Sequence, residues 1–212
     1  MVPGLVALVL AGTPAVAQAP GPRVLTGAWP EETISGWRAH ASATGLTGPA
    51  ADAACIQVAP ALLQCLVIEE GGRRRLGTAS DEVALGGRGA VMGQGRLAAK
   101  AALDGFVEVP VPDMPGRSYH VRSLGDGLDT AVVAAPGALH ERYGPATVMA
   151  FPDVSTTLVW RRGDPELDKV LAVAVHKAWE AASRPVSPRV YRWDGDGLVE
   201  WAAARPVDDG SP

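Results

Sequence analysis

Apolar residues recur at helical spacing most clearly near the C-terminal end. Leu167, Val170, Leu171, Ala174, Val175, Ala178 and Ala181 share one face of a helix predicted over 165–183. Asp164 is placed as its N-cap, Pro165 suits the first helical position, and Glu166 sits at the positive end of the dipole. Arg184-Pro185 ends it. Elsewhere short apolar or alternating runs are bounded by glycine, proline and aspartate, the mark of strands and tight turns. Leu62–Glu70 and Arg73–Gly77 flank the two-residue turn Gly71-Gly72, so that Glu69 and Glu70 face Arg73 and Arg74 and favour the pairing. The basic run 73–75 therefore reads as a solvated hairpin. Further strands are expected at 105–111, 117–122 and 129–134. Thr147–Phe151 and Ser155–Arg161 form an expected antiparallel pair around Pro152-Asp153. Val190–Trp193 and Leu198–Ala202 make a last hairpin on the turn 194–197. Pro136–Tyr143 reads as a short helix stopped by Gly144-Pro145, and a second short helix is expected over 97–103. Hairpins are too frequent for a regular β-α-β repeat, so the expected class is α+β with mainly antiparallel sheet.

The N-terminal end has a different texture. Val2 to Ala11 is apolar, Gly12 and Pro14 interrupt it, and the first charged residue is Arg23. Small residues at Ala15 and Ala17, or at Ala17 and Ala19, suit cleavage after Ala17 or after Ala19, so residues 1–19 read as a secretory signal peptide. No basic residue precedes the apolar run, so either the true start lies upstream or the amino terminus supplies the charge. The run is too short and too interrupted for a membrane span, which needs about 20 apolar residues. Residues 20–50, rich in Gly, Pro, Ala, Ser and Thr, read as a linker or ragged extension with one short helix around 31–43. A single domain is expected over 51–204, followed by a disordered tail at 205–212.

Composition narrows the compartment and the partners. A formal net charge of −4 excludes a basic nucleic-acid-binding face as the leading expectation. The two cysteines, Cys55 and Cys65, flank Pro60, and a hairpin turning there sets them opposite each other. In an oxidising compartment the pair is expected to be bridged. The spacing is neither the redox C-x-x-C nor a zinc pattern.

The order of parts between about 73 and 201 resembles a bacterial family of unknown function, the YtpQ-like proteins. The resemblance rests on the helix Leu97-Ala98-Ala99-Lys100-Ala101-Ala102-Leu103 and on Gly125-Asp126-Gly127-Leu128-Asp129 with an aliphatic strand after it. Gly144 ahead of Val148-Met149-Ala150-Phe151-Pro152-Asp153, the long helix, and Pro185-Val186-Ser187-Pro188-Arg189-Val190-Tyr191 complete it. The chain departs from the family beside the Pro-Asp turn, where Val154 follows Asp153 and the family's arginine is missing. The resemblance implies an α+β fold and carries no activity.

Candidate chemistry is sparse. Gly93-Gln94-Gly95-Arg96-Leu97-Ala98 matches G-x-G-x-x-A, yet no β-α-β unit surrounds it, so 86–95 is expected to be a flexible glycine-rich loop and no cofactor is expected. Ser118 and His120 share a strand face without the strand-to-helix turn of a nucleophile elbow. His140-Glu141 opens an H-E-x-x-H pattern that fails at Gly144. His120, His140 and His176 would have to converge in space to hold a metal, and no metal is expected. Asp126, Asp129 and Asp153 are turn carboxylates that could form an acid–base pair, and Asp194 with Asp196 belongs to a turn too short for calcium. Trp160, Trp193 and Trp201 are expected in the core, or as a sugar-stacking platform if two lie exposed side by side. The expectation is a periplasmic or secreted protein without catalytic machinery, binding an envelope protein or a small ligand. Its rival is an exported hydrolase using the carboxylates with His120 or His140.

Overall fold

The computed structural model describes residues 23–44 and 51–201, so the expected leader at 1–19 and tail at 205–212 lie outside the described residues. Strands β1 (Arg23–Pro30), β2 (Cys55–Ala59), β3 (Leu62–Glu70) and β4 (Arg73–Leu76) form an antiparallel sheet centred on β3. β1 runs along one side of β3 from Arg23↔Glu69 to Pro30↔Leu62, and β2 and then β4 share the other side. The turn at Gly71-Gly72 sets Glu69 opposite Arg74 and Glu70 opposite Arg73, as the alternation of charge predicts. Cys55 and Cys65 are register partners across β2 and β3 and are disulfide-bonded, with Cα atoms 4.1 Å apart. One face of the sheet, with Leu63 and Cys65, packs against Ile34 of α1 (Glu31–Thr44). The other, with Leu66 and Ile68, packs against Val91 of a later helix.

Three segments depart from expectation. Residues 23–30, taken as part of a linker, are the strand β1. Its small residues are what the site requires: Ala28 is fully buried, and a Cβ on Gly27 would come within 3.2 Å of the Thr130 hydroxyl. Small residues that fit a crowded interface share their composition with linkers, which is why the segment misleads. Second, the glycine-rich stretch 86–95 is largely helical. After α2 (Ala79–Ala84), Gly86 and Gly87 make the turn with positive φ, and α3 runs over Arg88–Ala102. Glycine in a helix costs about 1 kcal/mol relative to alanine, offset here by burial of Val91, Ala99 and Ala102. Gly95 lets the helix approach β1, since a Cβ there would lie 2.7 Å from the Thr26 Cγ2. Third, 129–134 is not a strand. Ala131–Ala134 forms a 3-10 turn whose Ala131, Val132 and Val133 are buried. A short apolar run surrounded by packing reads alike in either conformation. α2 itself was legible and passed over: Thr78 and Asp81 form a reciprocal capping box.

The second sheet is antiparallel and has the order β10-β9-β7-β8-β6-β5. Its strands are β5 (Val107–Pro110), β6 (Ser118–Arg122), β7 (Thr147–Asp153), β8 (Thr156–Arg161), β9 (Val190–Trp193) and β10 (Leu198–Glu200), with α4 (Pro136–Tyr143) and α5 (Pro165–Ala181) between them. β7 is apolar from Val148 to Pro152 because both of its faces are covered. Val148 and Ala150 meet α5 at Leu167, Leu171 and Val175, while Met149 and Phe151 face the core shared with Ala28, Leu62 and Leu139. Burial of each large aliphatic side chain contributes about 1.5–3 kcal/mol. Asp164 caps α5 as the sequence predicts, accepting from the N–H groups of Glu166 and Leu167. Tyr191 ties the two sheets: its hydroxyl donates to the Pro60 carbonyl at 3.2 Å and pairs with the Ser187 hydroxyl at 2.8 Å. The fold is α+β with antiparallel sheets, and among the described residues no helix is long and apolar enough to cross a membrane.

Candidate functional site

The carboxylates singled out in the sequence are engaged in building loops. Asp129 is buried and accepts the N–H groups of Leu124 at 2.6 Å and Gly125 at 2.9 Å. The Arg122 guanidinium, also buried, reaches Asp126 at 2.5 Å, while its Nε stands 3.9 Å from Asp129, beyond hydrogen-bond range. Room for Arg122 comes from Gly105, where a Cβ would lie 1.3 Å from its Nη1. Burial alone would raise the Asp126 pKa, but the Leu128 N–H and Arg122 together hold it below the ordinary value. Asp153 accepts from the N–H and hydroxyl of Ser155 and from the Arg184 N–H, closing the β7–β8 turn. Asp194 accepts the N–H groups of Gly197 and Asp196, which lower its pKa and make the turn between β9 and β10.

Ser118 donates to Glu108 on the neighbouring strand. His120 packs its ring against Tyr143 at 4.4 Å between centroids. Among the described residues His140 Nδ1 and the Tyr143 hydroxyl are buried without hydrogen-bond partners, and burial pushes the Tyr143 pKa up. His176 lies apart on α5 beside Glu180 and Trp179. Among the described residues no three His, Cys, Asp or Glu side chains are placed to hold a metal ion. Trp160 is core, its indole N–H donating to the buried Asp168 at 2.9 Å. Trp201 meets it edge-on at 6.5 Å. Trp193 stands elsewhere, half-buried against the first turn of α4.

That tryptophan walls a cleft of about 550 Å³ between the two sheets. The cleft is bounded by α3, the 3-10 turn leading into α4, the β9–β10 hairpin and β2. Its apolar lining includes Ile56, Val58, Met92, Val133 and Trp193. Gln64, buried on β3, also lines it and among the described residues gives its amide N–H to the Met92 sulfur at 3.4 Å, a weak acceptor. Arg96 and Lys100, one turn apart on α3, and Glu141 and Asp196 complete the rim. All four are exposed. Among the described residues none of the four side chains is ion-paired. The α4 N-terminus opens here with no side-chain cap at Ala135. A concave, largely apolar site with a few convergent polar groups is the usual form of a small-molecule pocket.

Sequence reasoning passed over this set. Arg96 stands in the motif considered for phosphate, Lys100 in the helix expected over 97–103, Glu141 in the incomplete zinc pattern, and Asp196 in the turn considered for calcium. The i, i+4 spacing of two cations was the visible signal. No protein family, curated protein or solved structure matches the chain.

Proposed function

We propose that the chain is an exported binding protein of the cell envelope, without catalytic machinery, whose ligand is a small molecule held in the cleft between the two sheets. The cleft itself carries this reading: about 550 Å³, apolar at its base, with four charges at its rim that form no ion pair among the described residues. Export is supported by the leader-like residues 1–19 and by the Cys55–Cys65 disulfide, since such bonds persist in oxidising compartments. The resemblance to the YtpQ-like proteins belongs to the same reading and adds no ligand.

The test is recovery of the protein, expressed with its own leader, from a periplasmic fraction, followed by native mass spectrometry after incubation with small molecules from envelope extract. The expected species lacks residues 1–17 or 1–19 and carries a bound small molecule. Gly197→Trp abolishes that mass increment. Gly197 lines the cleft, its φ is ordinary, and a Cβ there meets nothing within 4 Å, so an indole at the cleft wall is accommodated without straining the turn. Unprocessed chain confined to the cytosol would overturn export, and a chain that binds nothing would overturn the cleft reading.

A further inference from the structure

Charges of both signs line this one cleft, and among the described residues Arg96, Lys100, Glu141 and Asp196 form no ion pair. Arg74, Arg75, Arg88 and Arg117 each find a carboxylate within 3.0 Å. At the cleft both signs are present and do not meet. The order of elements around it explains why. α3 packs against the 3-10 turn that leads into α4, α4 packs against β9, β10 lies beside β2, and β2 pairs with β3 beneath α3. The hairpin bearing Asp196 is thus separated from α3 by α4 on one side and by β2 on the other. Arg96 and Lys100 supply positive charge from α3, while Glu141 and Asp196 supply negative charge from α4 and the hairpin.

Building on the cleft-binding reading, we propose that the ligand is a small zwitterion with an apolar side chain, a free amino acid or dipeptide. Its carboxylate lies at Arg96 and Lys100 and its ammonium at Glu141 and Asp196. A simple anion would be drawn to one side and repelled by the other, and a simple cation likewise. A dipolar ligand satisfies both, and charge-assisted hydrogen bonds are the stronger kind. Size agrees: a space of 550 Å³ is about 8 Å across if isometric, and two extended residues span about 7 Å. Trp193, Ile56 and Met92 offer apolar surface to the side chain. The weakly satisfied amide of Gln64 is available to a peptide unit.

The test is isothermal titration of the exported, oxidised protein with an equimolar dipeptide mixture, its N-acetylated counterpart and its C-amidated counterpart. Free dipeptides bind, and blocking either end weakens binding at least about tenfold, as expected for loss of a charge-assisted contact. In the double variant Arg96→Gln, Lys100→Gln the free mixture binds more weakly and amidation brings no further loss. In Glu141→Gln, Asp196→Asn the same holds for acetylation. No binding of free dipeptides, or equal binding of the blocked forms, overturns the proposal. Blocked forms that bind equally well and are lost in Gly197→Trp would leave cleft binding standing and remove only the zwitterion. Binding of free dipeptides that survives Gly197→Trp places the ligand elsewhere and overturns the proposal as well.

Discussion

Two charged regions of this molecule use the same residue types for opposite ends. Around Arg122, Asp126 and Asp129 the guanidinium and the Asp129 carboxylate are buried, Asp126 is partly exposed, and the carboxylates are taken up by backbone N–H groups and the guanidinium. Around the cleft, Arg96, Lys100, Glu141 and Asp196 are exposed and unpaired among the described residues. A carboxylate already accepting two N–H groups and facing a buried cation has little capacity left for a ligand. A carboxylate on a rim with no partner keeps all of it. Aspartates that accept backbone N–H groups, as Asp126, Asp129, Asp153 and Asp194 do, therefore belong to the framework, while Arg96, Lys100, Glu141 and Asp196, drawn from separate parts of the chain, are free to act.

The largest expected difference between the regions is in stability. Arg122→Met leaves Asp129 buried opposite an uncharged side chain. Breaking a buried pair in this way costs about 3–5 kcal/mol. Urea unfolding followed by tryptophan fluorescence measures it. A loss below about 1 kcal/mol would put Arg122 in the same class as an exposed ion pair and erase the contrast with the cleft.

Tyr191 sharpens the comparison, being a second enclosed polar group. Burial pushes its pKa up to about 12, against the opposing effect of the Ser187 hydrogen bond. The unfolded value is about 10. A group whose folded pKa is raised binds its proton more tightly when folded, so its stabilisation is complete below pH 10 and is lost as pH rises toward 12. Two units correspond to about 2–3 kcal/mol. Unfolding free energies measured between pH 9 and 12 should fall by about that amount, and Tyr191→Phe should remove this component of the slope. An unchanged slope in the variant would show that burial of the Tyr191 hydroxyl contributes nothing to the alkaline loss.

The smallest expected effect is at the cleft. The double variant Arg96→Gln, Lys100→Gln removes two exposed, unpaired charges and should shift the unfolding free energy by no more than about 0.5 kcal/mol. A destabilisation of several kcal/mol would mean that these cations belong to the framework after all, as Arg122 does.

Much of the architecture was legible in the chain. The α5 face and its Asp164 cap, the helix at 136–143, the β3–β4 hairpin with its charge register and the cysteine pair all follow from local pattern, because each depends on residues close in sequence. The misread segments share another property. At 23–30, 86–95 and 129–134 the deciding contacts come from far along the chain: Thr130 against Gly27, Thr26 against Gly95, and the core around Ala131 to Val133. Small residues carry little pattern of their own, and what they do is set by what packs against them.

The same division governs the site. Local periodicity, capping and turn chemistry determined which segments would be helices and hairpins and brought Cys55 opposite Cys65. Only the packing of one sheet against the other brought Arg96 and Lys100 of α3 to the same cleft as Glu141, Trp193 and Asp196. Those residues are separated by up to about a hundred positions in the chain. Their meeting depends on side-chain complementarity over the whole core rather than on any short-range preference, and a periodicity of two or of 3.6 residues carries no information about it.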